Sequence, residues 1–262
     1  MRRHGLSVRL WHWSNAVAVI VMMMSGLMIF NAHPRLYWGD YGANPDYAWL
    51  EISQSGAGRS LRIGSLVLET ADRQAVAALA LGGAQAFPGW MTIPSGYSLA
   101  DARLWHLAFA WVLAFGLLAY LLTSLRNGHL RRDLHITWRE WRPGHLWRDV
   151  VDHARLRFPA GTAALRYGVL QKLAYCGVIF GLLPLAIATG LTMSPALNAG
   201  LPFLLDLLGG RQSARSLHFL ATLGLSVFIV VHIAMVLLVG PVNAVRAMVT
   251  GWHRVAPEPG HD

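Results

Sequence analysis

Four of the twelve histidines lie inside long apolar segments, where an ionisable side chain is costly and usually functional. The tetrapeptide RLWH occurs at residues 9–12 and 103–106, and RSLH occurs at 215–218, so three of these histidines follow an arginine by three residues. The fourth is His232. Imidazole is a common axial ligand of haem iron. One such histidine could simply hydrogen-bond to a neighbouring helix, so the arrangement of all four decides between the two interpretations.

The spacing of the four histidines predicts two pairs at two depths. His218 and His232 are 14 residues apart, which in a helix is about 40° short of four turns, so they share a face and lie about 21 Å apart. His106 starts its own apolar segment at the depth of His218. His12 starts another at the depth of His232. We therefore expect two bis-histidine sites between facing helices, each holding one haem b. No C-x-x-C-H motif is present, so covalent attachment is not expected.

Three arginines, Arg9, Arg103 and Arg215, lie one helical turn outward from a proposed ligand, on the same face. A guanidinium at this position can pair with a haem propionate, which must leave the hydrocarbon. Anchoring to lipid headgroups is the alternative. Anchoring explains Arg9 well, because Arg9 is expected on the side of the membrane where positive charge accumulates. Propionate pairing is favoured for Arg103 and Arg215, which are expected on the other side.

The elements that must position these residues are apolar segments long enough to cross a bilayer. Of the residues, 55% are hydrophobic and 13% are charged, about half the charged fraction of a soluble domain. A span needs about 20 apolar residues. Four segments qualify, at about 8–30, 104–125, 173–193 and 216–240. Pro184 is expected to kink the third. The predicted fold is an all-α membrane protein, a four-transmembrane-helix bundle forming a single integral membrane domain over 1–262.

The connecting segments give the predicted orientation. The net charge is +9, but the arginines lie in loops beside apolar segments, which indicates membrane topology and not nucleic-acid binding. Residues 126–166 carry nine arginines and four acids, whereas residues 32–103 carry five arginines and six acids. Because arginine-rich loops stay in the cytoplasm, we expect 126–166 to be a cytoplasmic amphipathic loop on the lipid headgroups. Both termini are then cytoplasmic.

The longest connection, residues 32–100, is predicted to be a periplasmic cap. A loop of this length is functional or disordered, and its aromatic content argues against disorder. We expect a hairpin over 60–70 and a helix over 72–81. A partner that exchanges electrons must come close to the haem below the cap, so the cap and residues 196–212 are predicted to form its docking surface. Aromatic side chains of the cap are the expected anchors, because aromatic residues dominate interface hot spots. Packing within the cap is the alternative for each of them. The proposed anchors are Tyr37, Trp38, Tyr41, Tyr47 and Trp49.

These features together resemble the bacterial di-haem cytochrome b subunits, of the b-561 type, that serve formate dehydrogenases, nickel-iron hydrogenases and thiosulfate reductases. The resemblance rests on RLWHWSNAVAVIVMMMSGLMI in the first span, a histidine starting the second, none in the third, and the histidine pair of the fourth. It implies that His12 and His232 bind the cytoplasmic haem, and that His106 and His218 bind the periplasmic haem. It also implies a location in the bacterial inner membrane and a periplasmic molybdopterin oxidoreductase as partner. A quinone site is implied near the cytoplasmic haem, and Asn15 is a candidate contact for it.

Three functions are compatible with the sequence. The first is an electron-transfer subunit that links membrane quinone to a periplasmic redox enzyme through two haems. The second is a stand-alone oxidoreductase that exchanges electrons between quinone and a small oxidant such as superoxide, for which the large cap has no purpose. The third is a haem-free transporter with proton-relay histidines. The four predicted spans lack Asp and Glu, which such relays commonly use. The first function is therefore preferred.

Overall fold

Four long helices dominate the computed structural model, which describes residues 1, 3–55, 58–70, 86–155, 157 and 167–254. The four are long and apolar enough to cross a membrane. They run over Leu6–Asn31, Leu99–Arg126, Val169–Met193 and Arg211–Val239. The four-span, all-α fold class is confirmed. Each helix begins at least two residues before its predicted span, because helical hydrogen bonding continues through polar residues beyond the apolar core of the span.

The spans present apolar surface outward. Only 6% of the most apolar stretch of the fourth span is buried within the protein. Large apolar side chains such as Phe115, Val227 and Val230 remain more than half exposed. A water-soluble protein rarely leaves so much contiguous apolar surface uncovered, so these faces are suited to lipid.

The third span is irregular at its centre. An α-helix over Val169–Cys176 passes into a π-helical segment, Gly177–Leu182, before α-helix resumes over Leu183–Met193. Pro184 follows directly after the change and has no N–H to donate. A π-helical segment just before a proline is a common way to absorb a break in the α-helical ladder. The kink predicted at Pro184 stays a prediction.

The segment after the first span contains a small antiparallel sheet in the order β1-β2-β3-β4. Its strands are β1 (Arg35–Leu36), β2 (Leu50–Ser55), β3 (Gly58–Ile63) and β4 (Leu66–Thr70). The predicted hairpin over 60–70 is confirmed, with Leu61 opposite Leu68 and Gly64 in the turn at a φ of +59°. The helix predicted over 72–81 lies outside the described residues.

The sheet is fixed to the spans by a small core and by polar links. Phe30, Leu36 and Leu50 are buried together, and Phe219 of the fourth span packs against them. Asn31, the last residue of the first span, donates to the carbonyl of Phe87 at 2.9 Å and accepts from its N–H at 2.8 Å. The ends of two spans therefore hold this part of the cap by side-chain contacts.

A half-buried carboxylate, that of Glu51, strengthens the sheet. Glu51 lies between Arg35, at 2.6 Å, and Arg62. Burial alone would raise the pKa of Glu51, but the hydrogen bond from Arg62 and the positive charge of Arg35 outweigh it, and the net pKa is lowered. The carboxylate is therefore held in its charged form.

Short helices also occur in the connections between spans and after the fourth span. They are Gly89–Met91, Leu130–Leu134, Pro143–Ala154, Pro195–Gly200, Pro202–Leu207 and Pro241–Thr250. Pro143–Ala154 lies within the loop predicted to be amphipathic, and its placement on lipid headgroups stays a prediction.

The backbone divides into two compact units. The first comprises Met1–Ser14, Phe115–Pro184 and Leu223–Asp262, and the second comprises Asn15–Ala114 and Leu185–Thr222. The first unit contains one predicted histidine pair and the second contains the other. The expectation of one integral membrane domain stays a prediction.

Candidate functional site

In the second unit, the rings of His106 and His218 meet edge-on, with their centres 6.1 Å apart and their planes at 63°. His106 comes from the second span and His218 from the fourth. Two imidazole–metal bonds of about 2 Å would put the ring centres roughly 6 Å apart on either side of a metal. The predicted pair is therefore together, at a spacing that fits one metal between the rings.

The backbone of neighbouring spans fixes the tautomer of both rings. His106 Nδ1 lies 3.1 Å from the carbonyl oxygen of Met22, and His218 Nδ1 lies 3.0 Å from that of Ala186. A carbonyl can only accept, so each Nδ1 carries the proton and donates it. Each Nε2 then keeps its lone pair and is the nitrogen able to bind a metal.

A hydroxyl accompanies each of these carbonyls. Ser25 Oγ lies 3.1 Å from His106 Nδ1, and Thr189 Oγ1 lies 2.9 Å from His218 Nδ1. Sequence reasoning missed both residues. The available signal was a serine and a threonine, each followed by glycine, in largely apolar helices.

Glycines flank both rings of this pair. A Cβ on Gly26 would come 3.4 Å from His106 Cε1, and one on Gly190 would come 3.5 Å from His218 Cε1. A cavity with largely apolar walls also touches both rings and Gly190. Neutral imidazoles with free Nε2 atoms, small neighbours and apolar walls are the chemistry that a b-type haem requires.

The second predicted pair lies in the first unit. The rings of His12 and His232 are 6.2 Å apart at 55°. Phe228 stacks on His232 at 5.6 Å, and Trp13 meets His12 edge-on at 5.1 Å. His12 Nδ1 is buried without a hydrogen-bond partner in the structure. This pair has the spacing of the other and also fits a haem, but Nδ1 of His12 is not tied to the protein.

The three predicted arginines have different surroundings. Arg9 donates to the carbonyl of Val249, and Arg215 donates to that of His33 at 2.5 Å and lies over the ring of Phe30. Arg103 is exposed. Arg9 thus caps the end of helix Pro241–Thr250, where a positive charge is favourable. Pairing of the three with propionates stays a prediction.

Asn15, the candidate quinone contact, belongs to the second unit, and its side-chain oxygen is buried without a hydrogen-bond partner in the structure. Its role also stays a prediction. Among the residues that the structure describes, no cluster of three or more His, Cys, Asp or Glu side chains could hold a metal ion.

Comparison with known proteins agrees with this geometry. Residues 3–251 match the family described as prokaryotic cytochrome b561, a range that includes both histidine pairs and all four spans. The chain is 29% identical over 238 residues to the putative protein-methionine-sulfoxide reductase subunit YedZ1 of Azospira oryzae, covering 90% of each chain. No solved structure matches. The chain therefore belongs to the prokaryotic cytochrome b561 family, a family of multi-pass membrane proteins that bind b-type haem.

Proposed function

We propose that this protein is a di-haem subunit that carries electrons across the bacterial inner membrane, between the quinone pool and a periplasmic redox enzyme. The observation that carries the proposal is the presence of two histidine pairs with nearly equal ring separations, 6.2 and 6.1 Å. His12 with His232 would hold one haem b and His106 with His218 the other. Each haem, when bound, supplies a one-electron iron couple.

The chain's own residues would keep the ligands fixed while electrons pass. His106 and His218 each donate Nδ1–H to a carbonyl of another span, so neither ring can turn or change tautomer without breaking a buried hydrogen bond. The apolar walls exclude water. A fixed, dry ligand set needs little rearrangement when charge arrives, which favours fast electron transfer.

The quinone site is proposed on the cytoplasmic side, where His12 begins the first span. Asn15 follows His12 by three residues, and its side-chain oxygen is a buried acceptor without a partner. A quinol hydroxyl could donate to that oxygen. The orientation rests on the arginine-rich 126–166 loop, which also predicts that both termini are cytoplasmic.

The proposed partner is a periplasmic redox enzyme, with a molybdopterin oxidoreductase as the specific candidate. The name of the Azospira oryzae relative describes a subunit of a putative protein-methionine-sulfoxide reductase. That name favours a subunit over a stand-alone quinone and superoxide oxidoreductase.

The cap offers a docking surface, but with fewer aromatic anchors than the sequence predicts. Trp38, Tyr41 and Tyr47 are 53%, 89% and 65% exposed. Tyr37 is only 2% exposed, so its prediction as a docking anchor is wrong. Trp49 is half-buried and donates to Ser216 at 2.9 Å, which makes it a support of the cap. The Tyr37 hydroxyl bonds to His33 and Ala43 within the cap, as the alternative of packing within the cap expects, whereas Trp49 is held by Ser216 of the fourth span.

The test is haem stoichiometry combined with co-purification. Protein from native membranes should contain about two non-covalent haems per chain by the pyridine haemochrome assay, and a periplasmic redox enzyme should purify with it. Trp38→Ala with Tyr41→Ala should abolish quinone-linked turnover by that enzyme while dithionite still reduces both haems. A count of zero or one haem would overturn the di-haem proposal. Full turnover in the double variant would overturn the docking surface alone.

A further inference from the structure

The His106/His218 site is built from two matching halves. In the first span Ser25-Gly26-Leu27 serves His106, and in the third span Thr189-Gly190-Leu191 serves His218. In each half the imidazole contacts a backbone carbonyl, that of Met22 or Ala186. The hydroxyl that it also contacts lies three residues after that carbonyl in the chain, and the glycine follows the hydroxyl directly. The first and second spans thus repeat the arrangement of the third and fourth.

The ligand-bearing helices match as well. Ala102-Arg103 precedes His106, and Ala214-Arg215 precedes His218, at identical spacing. Both alanines are 0% exposed. Each helix therefore packs closely just before its ligand, and two pairs of spans present equivalent histidines to one another.

The hydroxyls are set up as acceptors for the imidazoles. Ser25 and Thr189 are both 0% exposed, and each lies 2.7 Å from a carbonyl of its own helix, that of Val21 and that of Leu185. The single hydroxyl proton is used in that bond, so the oxygen faces the imidazole with a lone pair. Each Nδ1–H then has two acceptors, one carbonyl and one hydroxyl.

We propose that Ser25 and Thr189 are positioning residues that hold both ligands of this haem in the Nδ1–H tautomer and keep the reduction potential of that haem low. Two acceptors draw the Nδ1 proton away from the ring, which makes Nε2 a stronger electron donor. A stronger donor favours the oxidised iron, and second-layer hydrogen bonds are an established control on haem potential. The proposal rests on the proposed function only in that it requires a haem at this pair.

His12 supplies an internal contrast, because its Nδ1 has no hydrogen-bond partner in the structure. Removal of a hydroxyl at residue 25 or 189 should therefore change one haem and leave the other unchanged. A merely structural serine or threonine would give no such selectivity.

The test is a redox titration of the purified holoprotein, followed by visible and low-spin EPR spectra of each haem. Ser25→Ala and Thr189→Ala should each raise the potential of the His106/His218 haem and shift its g-values, and the double variant should shift them further. Ser25→Thr and Thr189→Ser exchange the hydroxyls that the two halves already use and should keep the wild-type potential. Thr123→Ala is the matched control, because Thr123 makes the same bond to its own helix, 2.8 Å from the carbonyl of Ala119, in the unit without this pair.

Unchanged potentials in both alanine variants, or equal shifts of both haems, would overturn the proposal. If an alanine variant loses its haem, the conservative exchanges decide: haem lost from this pair alone and kept in Ser25→Thr and Thr189→Ser supports positioning, and haem lost in the exchanges as well contradicts it. His106→Ala distinguishes failure of the hydroxyl proposal from failure of the proposed function. If that variant keeps two haems, the ligand assignment of the proposed function fails, whatever the hydroxyl variants do.

Discussion

The two histidine pairs have nearly the same ring separation but different surroundings. At His106 and His218 every Nδ1 is bound to a carbonyl and a hydroxyl. At His12 the Nδ1 atom is buried without a partner, and the ring has an aromatic neighbour. Equal spacing allows both pairs to hold the same cofactor. The difference is in how the protein holds the rings, because both rings of one pair are tied at Nδ1 and His12 of the other pair is not.

The largest expected effect comes from removal of an axial ligand, which tests which histidines share a haem. His106→Ala and His218→Ala should each lose the same haem and keep the His12/His232 haem, because each variant removes one of the two axial bonds expected to hold that iron. The measurement is the haem content and spectrum of each purified variant, normalised to membrane insertion. If His106→Ala and His12→Ala lost the same haem, the pairing would be wrong.

A smaller effect is expected from added bulk at the fixed site. Gly190→Ala should cut occupancy of the His106/His218 haem to less than half, because its Cβ, 3.5 Å from His218 Cε1, makes ordinary contact in the protein but takes room beside the ligand. Gly181→Ala in the same span is the control, since its Cβ meets nothing within 4 Å. Haem quantification after purification measures both. Equal occupancy in the two variants would show that Gly190 serves helix packing only.

The stability of the cap should depend on its attachment to the helix that carries His218. Ser216→Ala removes the acceptor of Trp49 and the donor to the carbonyl of Tyr37, at 2.9 and 2.6 Å, and loss of such buried bonds costs about 1–3 kcal/mol. Proteolysis of the cap should become faster while the spectrum of the His12/His232 haem stays the same. Ser14→Ala, an exposed hydroxyl bonded only to its own helix turn, is the control. Unchanged proteolysis would show that the cap is held by its apolar core alone.

The smallest effect concerns pH in the loop that precedes the third span. Burial would raise the pKa of Glu140, but hydrogen bonds from Lys172 and Thr137 lower it to about 2. Because the folded pKa lies below the unfolded value of about 4.3, this contribution is full above pH ~4.3 and disappears as the pH falls towards 2. Glu140→Gln should weaken protection of the loop against hydrogen exchange at neutral pH and reduce its loss on acidification. The pair is partly exposed, so the change should be slight.

Much of the fold was predictable because it depends on local sequence. About 20 apolar residues specify a span, and 100° per residue places His218 and His232 on one face. The hairpin over 60–70 was predictable from the glycine turn between apolar stretches. β1 and β2 were not, because Arg35–Leu36 is too short to give a pattern and its pairing with Leu50–Ser55 spans a long loop.

What the sequence determined by itself is the number of spans, the family and the four histidines with their pairing, all of which follow from hydropathy, helical period and motif. Only the tertiary structure decided which residues contact the histidines and arginines and which aromatic side chains of the cap are buried. Ser25 meets His106 across 81 residues and Arg9 caps a helix 240 residues away, whereas Tyr37 turns inward and Tyr41 outward within one segment. Such contacts depend on how separate helices rotate and pack against each other, and hydrogen-bond partners brought together from distant helices leave no local period in the sequence.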